Sequence, residues 1–346
     1  MMRIPFADDL HCHLRQGDMM ALVTRYIIQG GCDRVLVMPN TTPPITTCAQ
    51  AGAYRRQLLD IEPNVDFLMT LYLSDKVTPD DLHNYAKENN VQGIKCYPVG
   101  TTTNSQHGFK SLEEFYPLFS EMERLGLSLH IHGEQPGASP LCAEQQFITH
   151  VENVARAFPK LKVVAEHIST KQSIEAVQRI HNLGASVTPH HIFITVDDVL
   201  SDTRGVTLDN ITDFVKDPHL YCKPLAKSVE DRDAIRQAIK SKSEKLFLGS
   251  DSAPHSLVSK QGKTPPAGVF TQPFIMNYLA TAFKQLDCFE YLEAFACKNG
   301  AMFLGLPPKQ TRWLQVVEDE TVTVPDTIEN ILVPFMAGKQ IVKTVY

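Results

Sequence analysis

The order of apolar and amphipathic segments predicts an α/β protein, a (β/α)8 TIM-type barrel with a short C-terminal extension. Short apolar runs alternate with longer amphipathic stretches, as repeated βαβ units require. There are eight such runs up to Gly249, which suits a closed barrel better than an open sheet. No glycine-rich fingerprint follows the first run, whereas a doubly wound dinucleotide-binding sheet would more often carry one. The 346 residues could form two domains, but one barrel of ~250 residues with extensions accounts for them equally well.

The strands are expected at Phe6–Leu14, Asp33–Met38, Asp66–Leu71, Gly93–Cys96, Leu127–Ile131, Lys162–Glu166, Ala185–Thr188 and Lys245–Gly249. Helical spacing marks Met19–Gln29, Cys48–Asp60, Pro79–Glu88, Leu112–Leu125, Glu144–Phe158, Lys171–Asn182 and Glu230–Ser241 between them. Gln272–Phe283 and Tyr291–Lys298 continue the helical pattern. Thr78-Pro79-Asp80-Asp81 offers an N-cap, a proline at the first helical position and acids in the first turn. Ser111 and Glu114 have the spacing of a capping box. Beyond Arg312 come short β-like runs at Leu314–Val317, Thr321–Val324, Ile331–Phe335 and Gln340–Val345. That stretch is too short for an independent domain, so residues 1–346 are read as one barrel domain with 312–346 packed on it.

Composition narrows the function. Lys and Arg number 33 against 39 Asp and Glu, a formal charge of −6. Broad nucleic-acid binding, which needs a basic face, is disfavoured. Selectivity for an anionic substrate would have to come from local groups. No apolar run approaches the ~20 residues that span a bilayer, and no signal-peptide core follows Met1. The eight cysteines form no C-x-x-C pair and read as buried thiols in a reducing compartment. A cytoplasmic protein is expected.

Chemistry-bearing residues recur at predicted strand ends. In His11-Cys12-His13 the two imidazoles share a strand face, which suits either a metal or a hydrogen-bonded, half-buried pair. His130 and His132 repeat the spacing after the fifth strand, Glu166-His167 follows the sixth and Asp251 the eighth. Ligand types recurring at one end of four strands are what a metal centre in a barrel mouth requires. Lys95 sits in an otherwise apolar strand. Burial would lower its pKa and free an amine able to form a carbamate with CO2; alternatively it pairs with an acid at the strand end. His130 is expected in the core or behind the ligands, and His190 and His191 in a loop or supporting role. His83, His150, His181 and His219 read as surface residues, and Asp8-Asp9 as ordinary charges at the start of a strand.

Several stretches resemble the amidohydrolase superfamily and, within it, the compact single-function (class II) dihydroorotases. They are Asp9–Arg15, Val37–Pro44, Gly93–Pro98, Thr102–Ser105, His132-Gly133-Glu134, Glu166–Lys171 and Gly249–His255. The resemblance implies a homodimeric barrel with two zinc ions per subunit. His11 and His13 would bind one ion and His132 and His167 the other, with an N6-carboxylated Lys95 bridging them and Asp251 on the first. It implies substrate contacts from Arg15, Asn40, His255 and the Ala267 backbone, and a closing loop carrying Thr102 and Thr103. The implied reaction is the reversible cyclisation of N-carbamoyl-L-aspartate to L-dihydroorotate in pyrimidine (UMP) biosynthesis, with a metal-bridging hydroxide as nucleophile and Asp251 as general acid/base. A hydantoin or dihydrouracil hydrolase is disfavoured because those rings lack the carboxylate that Arg15 and Asn40 would hold. A catalytically dead scaffold would be expected to have lost ligands.

Overall fold

The computed structural model describes residues 2–100, 108–109, 111–307, 309 and 312–346. Its strands are β1 (Met2–Pro5), β2 (Ala7–Cys12), β3 (Cys32–Val37), β4 (Asp66–Tyr72), β5 (Val91–Cys96), β6 (Ser128–Ile131), β7 (Lys162–Ala165), β8 (Leu183–Val187), β9 (Leu246–Leu248), β10 (Trp313–Thr323) and β11 (Gln340–Val345). Strands β2 to β9 pair in sequence order as one parallel sheet with helices between them. This is the expected (β/α)8 architecture. The strands are buried on both faces, which is why they read as apolar runs rather than as alternations.

The barrel closes beyond the end of β9. The Asp251 N–H donates to the His11 carbonyl at 2.8 Å and the His13 N–H to the Ser252 carbonyl at 3.0 Å. Buried Asp9 reinforces the seam, its carboxylate accepting from the Ser250 N–H and hydroxyl, each at 2.7 Å. Asp8 is buried too, beside Lys309 at 2.6 Å and Arg34 at 3.7 Å. Neither acid is the ordinary strand charge that the sequence suggested: both are pinned by donors brought from far along the chain.

The expected first strand begins one residue too early and extends too far. Residues Met2–Pro5 form a separate strand in a second, antiparallel sheet of order β1-β10-β11, with Met2 opposite Val316 and Gln315 opposite Val345. The two β-like runs Leu314–Val317 and Thr321–Val324 are largely one bulged strand, β10, while Ile331–Phe335 makes isolated bridges only. The helix Ile275–Gln285 holds β11 through Asn277, whose side-chain amide donates to the Val342 carbonyl at 2.9 Å, and Thr281, whose hydroxyl accepts from the Val342 N–H at 2.8 Å.

Thr78 caps its helix as expected, accepting from the Asp81 N–H, with Pro79 in the first turn. The Ser111 capping box does not form. Ser111 pairs with Glu113 instead, and a 3-10 turn, Glu113–Phe115, precedes the helix Tyr116–Leu125. All eight cysteines are unpaired and six are buried. Among the described residues no helix is long and apolar enough to cross a membrane.

Removing the Asp9 carboxylate strands two buried backbone donors, the N–H groups of Ser250 and His11, at ~1–3 kcal/mol each. Asp9→Ala is therefore expected to lower unfolding free energy by about 3 kcal/mol in urea titrations; an unchanged midpoint would refute the seam role.

Candidate active site and metal centre

His11, His13 and Asp251 converge at the C-terminal mouth of the barrel, their ligand atoms all within 4.8 Å of one another. His11 Nδ1 lies 2.7 Å from Glu166 Oε2 and His13 Nδ1 lies 2.8 Å from Asn40 Oδ1. Each ring thus gives its Nδ1 proton to an acceptor behind it and turns a lone pair on Nε2 forward. Both lone pairs face Asp251 Oδ1, at 3.5 and 3.0 Å. Three acceptors aimed at one another, all buried, are what a cation between them resolves.

Two further imidazoles adjoin this group. His132 Nε2 donates to Glu134 Oε2 at 2.7 Å, which leaves Nδ1 facing His167 Nε2 at 3.1 Å. His167 Nδ1 has no hydrogen-bond partner among the described residues. The amine of Lys95, fully buried, likewise has none and lies 4.4 Å from the centre of the Tyr97 ring. The alternative of a lysine paired with an acid is therefore not the arrangement found. Burial pushes the Lys95 amine down to about 8, and its orphaned state is suited to capture by a carboxylating reagent. The donor set thus fits the metal group that the sequence implies.

Electrostatics follow burial. Desolvation lowers His13 to about 4 and depresses His132 and His167, so all three rings are neutral and available as ligands. Burial would raise the Asp251 carboxyl, but the adjacent His13 and His11 rings outweigh it and hold the group ionised. Burial would likewise raise Glu166, yet His11 and His130 hold it well below the usual range. His130 is the supporting residue the sequence suggested, its Nδ1 2.5 Å from Glu166 Oε1.

Arg15 stands beside this group. Its Nε donates to the Pro254 carbonyl at 3.0 Å, and Nη2 lies 3.1 Å from His255 Nε2. His255 Nε2 is also 3.0 Å from the Ala267 carbonyl. Burial, reinforced by Arg15, pushes His255 down to about 3, so the neutral ring can offer a lone pair to Arg15 or an N–H to Ala267, not both. A cavity of about 330 Å³ is lined by His13, Arg15, Asn40 and His255. A smaller recess behind it reaches His132, His167, Asp251 and Ala267. The structure therefore gathers Arg15, Asn40, His255 and Ala267 at the expected metal group; Thr102 and Thr103 lie outside the described residues.

Arg15, His167 and Asp251 have φ of 60°, 40° and 44°. Each such non-glycine conformation costs about 1–3 kcal/mol and persists where the surroundings impose it. At Asp251 the seam hydrogen bonds impose it, turning the carboxylate back over His13.

Sequence reasoning missed the residues that act from behind. Glu166 and Glu134 stand in the motifs but carry no assigned role there; the signal for one is that each is an acid within two residues of a predicted ligand. Lys260, 3% exposed, donates to the carbonyls of Tyr221, Pro266 and Gly268 at 3.3, 3.0 and 2.7 Å, fixing the segment that carries Ala267. No local pattern marks it.

A closed parallel barrel with neutral imidazoles and a carboxylate at its C-terminal mouth defines a barrel hydrolase of the metal-assisted class. Residues 44–186 match a family described as Amidohydrolase. The probable dihydroorotase of Schizosaccharomyces pombe is 38% identical over 338 residues, covering 96% of each chain. The crystal structure of Saccharomyces cerevisiae dihydroorotase in complex with 5-fluoroorotic acid is similar, with a TM-score of 0.90 and 31% identity over 100% of this chain and 99% of that one. The Campylobacter jejuni dihydroorotase structure gives a TM-score of 0.85 and 34% identity over 99% and 96%. The chain belongs to the dihydroorotase family.

Loss of an acid behind a ligating histidine typically costs 10–100-fold in metal affinity. Glu166→Gln is expected to shed metal at about tenfold lower chelator concentration than the parent, read as metal content after graded dialysis. Equal retention would contradict the orienting role.

Proposed function

We propose that the protein is a dihydroorotase, interconverting N-carbamoyl-L-aspartate and L-dihydroorotate, with cyclisation serving pyrimidine synthesis. The observation that carries this reading is the Arg15 guanidinium, anchored by neutral partners beside the convergent His11–His13–Asp251 group in one mouth. Metal-assisted cyclic amide hydrolysis needs the group; a substrate carboxylate needs the arginine. The reading includes two zinc ions per subunit and a cytoplasmic homodimer, as the family resemblance implies.

His11, His13 and Asp251 would hold one ion, His132 and His167 the other, and carboxylated Lys95 would bridge them. Bound metal supplies carbonyl polarisation and lowers the pKa of water from 15.7 towards ~7. Arg15 matches the substrate carboxylate as a two-pronged donor. Asn40, anchored on His13, and His255 flank it on the same wall. The Ala267 segment, pinned by Lys260, adjoins His255 and lines the recess that reaches Asp251. Ionised Asp251 accepts the proton of the attacking water and delivers it to the departing ring nitrogen; in cyclisation the transfers reverse. Thr102 and Thr103 would close over the bound acid and exclude water.

Steady-state interconversion of dihydroorotate and N-carbamoyl-L-aspartate, with metal content measured on the same sample, tests the reading. Faster turnover of dihydrouracil than of dihydroorotate would overturn it. Asp251→Ala is expected to abolish turnover with the fold retained, and near-normal activity would remove Asp251 as the proton carrier. Arg15→Met should raise KM for dihydroorotate about 100-fold, since hydrogen bonds to charged groups contribute ~1.5–3 kcal/mol. Lys95→Ala should lose activity that short carboxylic acids and excess zinc partly restore. Full activity without additives would exclude a carboxylated lysine.

A further inference from the structure

A second convergent group of metal-ligating side chains lies outside the residues assigned above. The ligand atoms of His190, His191 and Cys222 are all within 4.8 Å of one another, and the three residues are 0%, 2% and 1% exposed. The histidines open the short helix Pro189–Phe193 directly after β8, the strand next to β9 in the sheet. The group therefore stands beside the strand that leads to Asp251, without sharing a ligand with the first centre.

His190 needs explaining. Neither of its ring nitrogens has a hydrogen-bond partner among the described residues, although the ring is fully buried. A neutral imidazole carries one donor and one acceptor, and leaving such a group unmet in the interior costs ~1–3 kcal/mol. Buried polar groups are otherwise partnered, so an orphan of this kind points to an ion or a water. Burial pushes the ring down to about 4, which keeps its lone pair available.

His191 is held like a metal ligand. Its Nδ1 lies 2.9 Å from Thr188 Oγ1, which also accepts the His191 backbone N–H at 3.0 Å. Its Nε2 is 3.1 Å from the Pro224 carbonyl and 3.9 Å from Cys222 Sγ. An imidazole oriented from behind by an oxygen, with its other nitrogen towards a thiol and a second imidazole, is the arrangement of ligating histidines.

We propose that His190, His191 and Cys222 form a second cation site for a borderline-soft divalent ion of the Zn2+ and Cd2+ type. Two nitrogen donors and one sulfur suit such an ion, with water in the fourth place. On binding, Cys222 releases its thiol proton to solvent and the thiolate binds the ion. The His191 ring proton moves from Nε2 to Nδ1, where it donates to Thr188, and Nε2 exchanges the Pro224 carbonyl for the ion. One proton is released and the site gains a net charge of +1.

Sulfur ligation separates this site from the first centre, whose donors are nitrogen and oxygen. The purified protein with its native metal complement is titrated with Cd2+, reading thiolate-to-metal charge-transfer absorption in the ultraviolet. The expected result is a saturable band at about one equivalent, abolished in Cys222→Ser and requiring at least ~10-fold more Cd2+ in His190→Gln. Cys142→Ser, at a half-buried thiol outside the group, should leave the band unchanged. Absence of the band in the parent, or its persistence in Cys222→Ser, overturns the site. A His190→Gln titration superimposing on the parent does the same, leaving the orphaned ring to a buried water. Circular dichroism of each variant confirms that the fold is intact.

Discussion

The site depends on one buried carboxylate. Glu166, immediately after β7, meets His11 beyond the middle of β2, His130 in β6 and Ser186 in β8. A lone carboxylate buried in a barrel would be driven to protonate. Here the donors around it hold it ionised, and in return its two oxygens fix the rotation of two imidazoles. His11 then has only one nitrogen to turn towards Asp251. The orientation of the forward group is thus set by strand register, because parallel pairing brings β6, β7 and β8 to the same height. A one-residue slip would send alternate side chains to the other face and dismantle the arrangement.

The second constraint is closure. An eight-stranded parallel sheet is completed by hydrogen bonds between the end of β2 and the residues after β9, and Asp251 lies in that seam. The same bonds that close the barrel hold Asp251 in its left-handed conformation. Strain at Asp251, His167 and Arg15 is therefore carried by the rigid parts of the molecule. That cost falls on residues that must aim a carboxylate, an imidazole and a guanidinium inward, which no relaxed strand geometry would do at those points.

The forward residues were legible in the sequence because each lies in a short motif at the end of an apolar run. His11, His13, His132, His167 and Asp251 are such cases, and the eight strands declare themselves by the same runs. What was illegible is pairing at a distance. Strand β1 joins β10 across most of the chain, and nothing within four residues of Ile4 signals it. Asp8 and Asp9 look like ordinary charges at the start of a strand until Lys309 and Ser250 arrive from the far end of the sequence. Lys260 is unmarked because its partners are carbonyls, which carry no sequence signature. The Ser111 spacing failed for a local reason: Glu113 is a nearer partner for the hydroxyl than Glu114.

A chain of net charge −6 would be an unpromising receptor for an anion if total charge decided the matter. Local pairing decides it instead. Arg15 is anchored by a carbonyl and a neutral histidine, and Lys260 by three carbonyls. These partners fix the two cations without cancelling their charge. Burial opposes both charges, lowering Arg15 and bringing Lys260 down to about 8; under the proposed function an incoming carboxylate would relieve that cost at Arg15, which lines the cavity. Low-dielectric walls concentrate that field in the mouth. Arg34, by contrast, is spent on Asp66 at 3.0 Å, and a neutralised arginine of that kind exerts little pull on an anion. Under the proposed function, selectivity for an acidic substrate would rest on Arg15, a cation that the fold leaves beside neutral partners, a property that the composition alone does not contain.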